Sequence, residues 1–203
     1  MLPISAHLST TYDIWDGNKC IDGITTRSGS LCHSKKELAP WLALDYGKDA
    51  RVSVEKVVLF NRADGSWHRT RNVEVRLTNE LPTSGKNVFT GGELLGTFKG
   101  PGTKGQQIEI ESGPGWEKKS GRYIVIQMNY KGKSDYLNLQ EVFAVGLSNE
   151  GPDEGKFQRS FFLSPPSLRA CILYILRLII LLSIVLSDPM IPKNLNIICR
   201  LSV

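Results

Sequence analysis

"NVEVRLT", residues 72–78, sets Val73, Val75 and Leu77 against Glu74 and Arg76. Strict alternation turns successive side chains to opposite faces of an extended chain, so the stretch predicts a strand with one face buried and one in water. The period returns in "QQIEIE" (106–111), and further apolar-rich runs stand on either side: "WLALDY" (41–46), "VSVEKVVLF" (52–60), "RYIVIQMN" (122–129) and "YLNLQEVFAV" (136–145). Turn chemistry such as "TGG", "KGPGTKG" and "SGPG" separates them. Before residue 150 there is no good amphipathic helical window. Strand runs at this spacing predict an all-β domain, an antiparallel jelly-roll β-sandwich.

Composition divides the 203 residues unevenly. Residues 1–150 read as one soluble β-rich domain, with 19 Lys and Arg against 17 Asp and Glu. Residues 151–203 hold 6 against 3, so much of the net charge of +5 belongs to the tail. The charges of the main domain are interleaved rather than gathered on one face, which argues against a nucleic-acid partner. A linker is expected over 151–167, a hydrophobic segment over 168–187 and a short tail over 188–203. Within the segment, 170–186 is at the short limit for a spanning helix and carries Arg177 at its centre. Three readings stay open there: a C-terminal membrane anchor, an alternative end of the coding sequence, or a packed apolar helix.

Four cysteines fall at Cys20, Cys32, Cys171 and Cys199. The first pair flanks the loop "CIDGITTRSGSLC". It reads as a disulfide closing a short loop in an oxidising compartment, with free structural thiols as the alternative; a zinc site lacks a second ligand pair. The expected location is extracellular, secreted or membrane-anchored, although "MLPISAHLSTTY" contains no signal peptide.

The chemistry is concentrated in "NRADGSWHR" (61–69), directly after a strand run. Arg62 and Arg69, with His33 upstream, supply hydrogen-bond donors and one imidazole acceptor. Asp64, two residues after Arg62, shares its face of an extended chain and can hold a guanidinium. No nucleophile or second tuned carboxylate accompanies them, so an enzyme is not expected. Fixed donors beside Trp67 suit a polyhydroxylated ligand with one apolar edge, a sugar; exposed loop charges forming a weak ion pair are the plainer reading. Gly100, Gly102 and Gly105 spell G-x-G-x-x-G, but a strand follows where a nucleotide site needs a helix, so the segment is expected to be a turn.

The order "CIDG…GSLCHS…PWLALDYG…VVLFNRADGSWHR…GRYIVIQM…YLNLQEV" resembles the F-type lectins, the fucolectin family, over roughly residues 3–147. The resemblance implies a discoidin or galactose-binding-like jelly roll whose opening strand is largely missing here. It implies that His33, Arg62 and Arg69 hydrogen-bond L-fucose while Asp64 braces the arginines. The family's adjacent cysteines, which pack against the sugar's apolar edge, are Gly65 and Ser66 here, leaving Trp67 as the candidate apolar surface. A calcium ion is also implied, held by the side chains of Asp22, Ser30 and Glu141 and the carbonyls of Lys19, Ile24 and Gln140. Fucosylated glycans are the implied partners, with oligomerisation for avidity and a membrane contact through 170–186 as further expectations. The rival is an adhesion or protein-interaction module of the same fold with an altered sugar site.

Overall fold

The computed structural model describes residues 2–26, 29–130 and 132–148 and the backbone of 149 and 158–160. The expectations for 168–187 and 188–203, with those for Cys171 and Cys199, fall outside the described residues. Among the latter, secondary structure is strands and three short 3-10 turns: β1 (Ser5–Leu8), β2 (Cys32–His33), β3 (Trp41–Asp45), β4 (Arg51–Phe60), β5 (Val73–Thr78), β6 (Glu93–Phe98), β7 (Gln107–Glu111), β8 (Tyr123–Met128), β9 (Asn138–Leu139), β10 (Glu141–Asn149) and β11 (Gln158–Ser160).

All pairings between these strands are antiparallel. One sheet has the order β1-β3-β8-β5-β6, a second β11-β10-β4-β7, and β2 and β9 form a separate two-stranded ribbon. The alternation in 72–78 has the predicted result: Val73, Val75 and Leu77 are buried, while Glu74 and Arg76 lie on the other face. They join Leu42 and Leu44 of β3, Ile124 and Ile126 of β8, and Val57 and Leu59 of β4 in one core. The antiparallel β-sandwich expected from the sequence is therefore the architecture.

β8 is buried along its whole length because it is central in its sheet and covered on both faces. Its outward Tyr123 and Val125 join Trp41, Ala43 and the ring of Phe89 in a second cluster. Gln127, also outward, accepts a hydrogen bond from the Phe89 amide at 3.0 Å.

Two sequence expectations need correction. "YLNLQEVFAV" is not one strand: it breaks at Gln140, whose amide turns to the Phe60 carbonyl at 2.8 Å. Residues before the break pair with β2 and residues after it with β4. Gln158–Ser160, inside the stretch expected to be a linker, adds a short edge strand to β10.

Along β4 and β10 the register shifts at Val145 and Gly146. A Cβ on Gly146 would stand 2.0 Å from the Ser53 carbonyl oxygen, so the close approach of the two backbones requires glycine.

Candidate functional site

The basic cluster lies in the loop between β4 and β5 and is organised by Asn61. This residue is 2% exposed, and its amide donates to the carbonyls of Trp67 (2.9 Å) and Thr103 (2.8 Å). Its side-chain oxygen accepts from the Arg62 backbone (3.0 Å) and the Thr70 hydroxyl (2.8 Å). Four hydrogen bonds from one buried amide fix both ends of the arginine loop.

The glycine-rich 100–105 turn buttresses the same loop. Gly102 donates to the Thr70 carbonyl at 2.7 Å and Gly105 to the Arg62 carbonyl at 3.1 Å. A Cβ on Gly102 would meet the Asn61 amide nitrogen at 2.6 Å, so glycine serves close backbone packing there, not a phosphate.

Within the loop, Arg62 closes on Asp64 through Nε to Oδ1 (2.6 Å) and Nη2 to Oδ2 (2.8 Å). That bidentate pair pulls the Asp64 carboxyl down to about 2, through the guanidinium hydrogen bonds above all. The resemblance implied that Asp64 braces both arginines. The structure divides the work: Arg69 faces Asp135, with Nε 4.0 Å from Oδ1. It also lies over the Tyr136 ring at 4.6 Å from the centroid.

β2 brings His33 to this cluster. Its backbone is pinned on one side by the 12–15 segment, with Tyr12 N–H to the His33 carbonyl (2.8 Å) and His33 N–H to the Trp15 carbonyl (2.9 Å). On the other side it pairs with Asn138 of β9. The ring of Tyr12 stands 5.1 Å, Tyr136 5.4 Å and Trp15 6.3 Å from the imidazole centroid.

Nδ1 of His33 lies 2.6 Å from the Ser34 carbonyl, an acceptor, so Nδ1 carries the proton. Burial lowers the pKa of the imidazole below its ordinary value, and the charges of Arg62 and Arg69 lower it further. A neutral ring protonated at Nδ1 leaves Nε2 as an acceptor. The site thus presents one acceptor, two guanidiniums and flanking aromatic rings. Asn138, 2% exposed and opposite His33, has neither side-chain polar atom partnered among the described residues.

Sequence reasoning did not pick out Tyr12, Trp15, Tyr136, Asp135, Asn138 or Asn61 as site residues. Trp67, which it did pick out, sits in the 3-10 turn Trp67–Arg69 with its ring edge-on to His68 at 5.6 Å.

The oxygen-rich cluster assembles beneath a disulfide. Cys20 and Cys32 are bonded, with Cα atoms 5.3 Å apart, and close the loop between them. Asp22 accepts from Ser30 Oγ (2.6 Å) and the Ile24 amide (2.9 Å). Glu141, fully buried, accepts from the Gly23 amide at 2.8 Å and also interacts with Asp22. Burial pushes the Glu141 carboxyl up to about 8, and the neighbouring Asp22 adds to the rise. The Gln140 side-chain amide donates to the carbonyls of Ile24 and Ser30. Lys19 lies in the 3-10 turn Gly17–Cys20 that leads into the disulfide.

No family model matches the chain. Among curated proteins it is similar to the pentraxin fusion protein of Xenopus laevis, 28% identical over 127 residues, which are 62% of this chain and 27% of that protein. Among solved structures, a fucolectin from striped bass (Morone saxatilis) serum superposes with a TM-score of 0.58 at 23% identity, over 70% of this chain and 46% of that one. The lectin domain of lectinolysin, solved in complex with Lewis B antigen, superposes with a TM-score of 0.53 at 25% identity, over 69% and 90%. The chain therefore spans about a quarter of the curated relative and about half of the fucolectin. The fold of this domain is that of the F-type lectins.

Proposed function

We propose that this domain, built on the F-type lectin fold, is a calcium-stabilised, non-enzymatic lectin that holds terminal L-fucose on cell-surface or microbial glycans. The observation carrying the reading is the convergence of His33, from the β2–β9 ribbon, with Arg62 and Arg69, from the β4–β5 loop, the imidazole being neutral and its Nε2 an acceptor. A sugar hydroxyl both donates and accepts. It can give its proton to Nε2 while taking one from a guanidinium, which a cluster of cations alone could not offer. The ring of Tyr12, beside His33, supplies an apolar surface for the sugar's methyl-bearing edge. Asn138 offers unspent amide capacity to a bridging water.

Calcium fits the second cluster by the chemistry of its donors. Asp22, Ser30 and Glu141 lie together through Ser30 Oγ–Asp22 and the Asp22–Glu141 contact. With the carbonyls of Lys19, Ile24 and Gln140 that the resemblance implies, they would supply hard oxygens, and the two carboxylates among them would neutralise the ion. Without a cation, Glu141 retains a proton at neutral pH because it is buried beside another carboxylate. A disulfide in this loop suits an extracellular setting. One shallow site binds weakly, so useful recognition draws on several copies through oligomerisation or membrane clustering.

The test is isothermal titration of L-fucose into the full chain with calcium, alongside the double variant Arg62→Ala/Arg69→Ala. Saturable heat that disappears in the variant, at a melting temperature near that of the parent, is the expected result. A folded, calcium-loaded protein that gives no heat with fucose and none with other sugars on a glycan array would leave the adhesion-module reading in its place.

A further inference from the structure

We propose that Asp135 and Tyr136, on the segment between β8 and β9, are the positioning pair that holds Arg69 in its sugar-binding orientation; this rests on the lectin reading above. The need arises from an asymmetry between the two arginines. Arg62 has its own carboxylate two residues away and is fixed by two short hydrogen bonds. Arg69, at the end of a 3-10 turn, is not hydrogen-bonded to Asp64. A guanidinium on a flexible stem loses much rotamer entropy when it must hold one geometry, so an unbraced Arg69 would bind sugar poorly.

The brace comes from across the fold. Tyr136 lies under the guanidinium, 4.6 Å from ring centroid to Cζ, and its edge meets the His33 ring, so one side chain spaces both sugar-facing groups. Asp135 stands 4.0 Å from Arg69 Nε and adds the charge that keeps the guanidinium over the ring.

Asp135 is itself held in place. Its Oδ1 accepts from the Tyr136 amide at 2.9 Å, and its Oδ2 accepts from Arg71 Nη2 at 2.9 Å. Its backbone exchanges two hydrogen bonds with Glu37, at 2.8 and 2.9 Å. Glu37 in turn accepts from the hydroxyls of Ser9 and Thr10, which precede Tyr12. Arg71 is anchored over Tyr130 at 4.1 Å, so it fixes the carboxylate rather than competing for the sugar. A rigid acid thus sits between two arginines, and only the one beside His33 faces the ligand.

The experiment compares Asp135→Asn, Tyr136→Phe and Tyr136→Leu with the parent full chain. Two readouts are followed: fucose affinity, and the ring-current shift of the Arg69 side-chain protons in the sugar-free protein. Asp135→Asn and Tyr136→Leu should each weaken fucose by about tenfold and abolish the shift. Tyr136→Phe, which keeps the ring, should bind within about twofold of the parent and retain the shift. The Arg62 Nε–H resonance should stay where it is in all three, reporting an intact Arg62–Asp64 pair.

Unaltered affinity in Asp135→Asn and Tyr136→Leu, with a parent that binds, would overturn the proposal, as would an Arg69 shift that survives Asp135→Asn. If the parent binds no sugar, the lectin reading fails by itself, and the shift still decides whether Asp135 and Tyr136 position Arg69.

Discussion

At the scale of single residues, His33 is the group expected to set the candidate site's response to pH. Burial and two nearby guanidiniums hold its pKa below the ordinary 6.5, so the ring is neutral at pH 7 and Nε2 accepts. Protonation on acidification would turn that acceptor into a donor facing two cations. Fucose affinity is therefore expected to be flat above pH 6.5 and to fall as pH drops through the lowered His33 pKa, as measured by titrations between about pH 5 and pH 8. The unfolded chain protonates its histidine first, at its higher pKa, so acid in the same range also lowers stability. Circular dichroism run beside each titration separates the two effects. Asn61 makes the complementary point: a residue with no ligand contact assigned to it shapes the site by holding the arginine loop at both ends.

At the scale of elements, the loop closed by Cys20 and Cys32 is where metal removal should register. Without the ion, Glu141 has a folded-state pKa of about 8 against an ordinary 4.5, so it favours the folded state most below pH 4.5. That contribution is lost as pH rises through about 8. Chelator is thus expected to lower the melting temperature, and to lower it further at pH 8 than at pH 5, with calcium removing the difference. Melting curves with and without chelator at both pH values check this; curves that coincide would exclude the ion.

Strands with strict alternation or a long apolar run, such as Val73–Thr78 and Tyr123–Met128, were legible because each carries its burial pattern within itself. β2 and β9 were not, since two residues cannot show a period, and the break at Gln140 depends on a partner carbonyl 80 positions earlier in sequence, at Phe60. The site divides in the same way. His33, Arg62 and Arg69 stood out by residue type as a cluster of donors, while their assignment to a sugar came from the family resemblance and not from their spacing. Tyr136 meets His33 only through the β2–β9 ribbon, and Asp135 reaches Arg69 only from a segment bridged to Glu37; neither relation is displayed by any local stretch of sequence.

At the scale of the whole molecule, the described domain has a main sandwich core and a smaller cluster outside the β3–β8 face, while the candidate site is carried by the β2–β9 ribbon and the loops beside it. The near balance of charge over residues 1–150 leaves local geometry, rather than a long-range field, to select the ligand. The ribbon has a further consequence. Cys32, which closes the loop of the proposed cation cluster, is followed directly by His33, and on the facing strand Asn138 stands three residues before Glu141. Two short paired segments therefore connect the two clusters, a route by which a ligand at one would be coupled to the other. Linkage then runs in both directions: whatever factor the ion contributes to sugar affinity, the sugar must return to ion affinity. Competition against a fluorescent calcium indicator, with and without saturating fucose, should give a tighter calcium constant in the sugar's presence. A glycan-bound molecule would then keep its metal longer in dilute calcium than an idle one, so occupancy would itself be a form of protection.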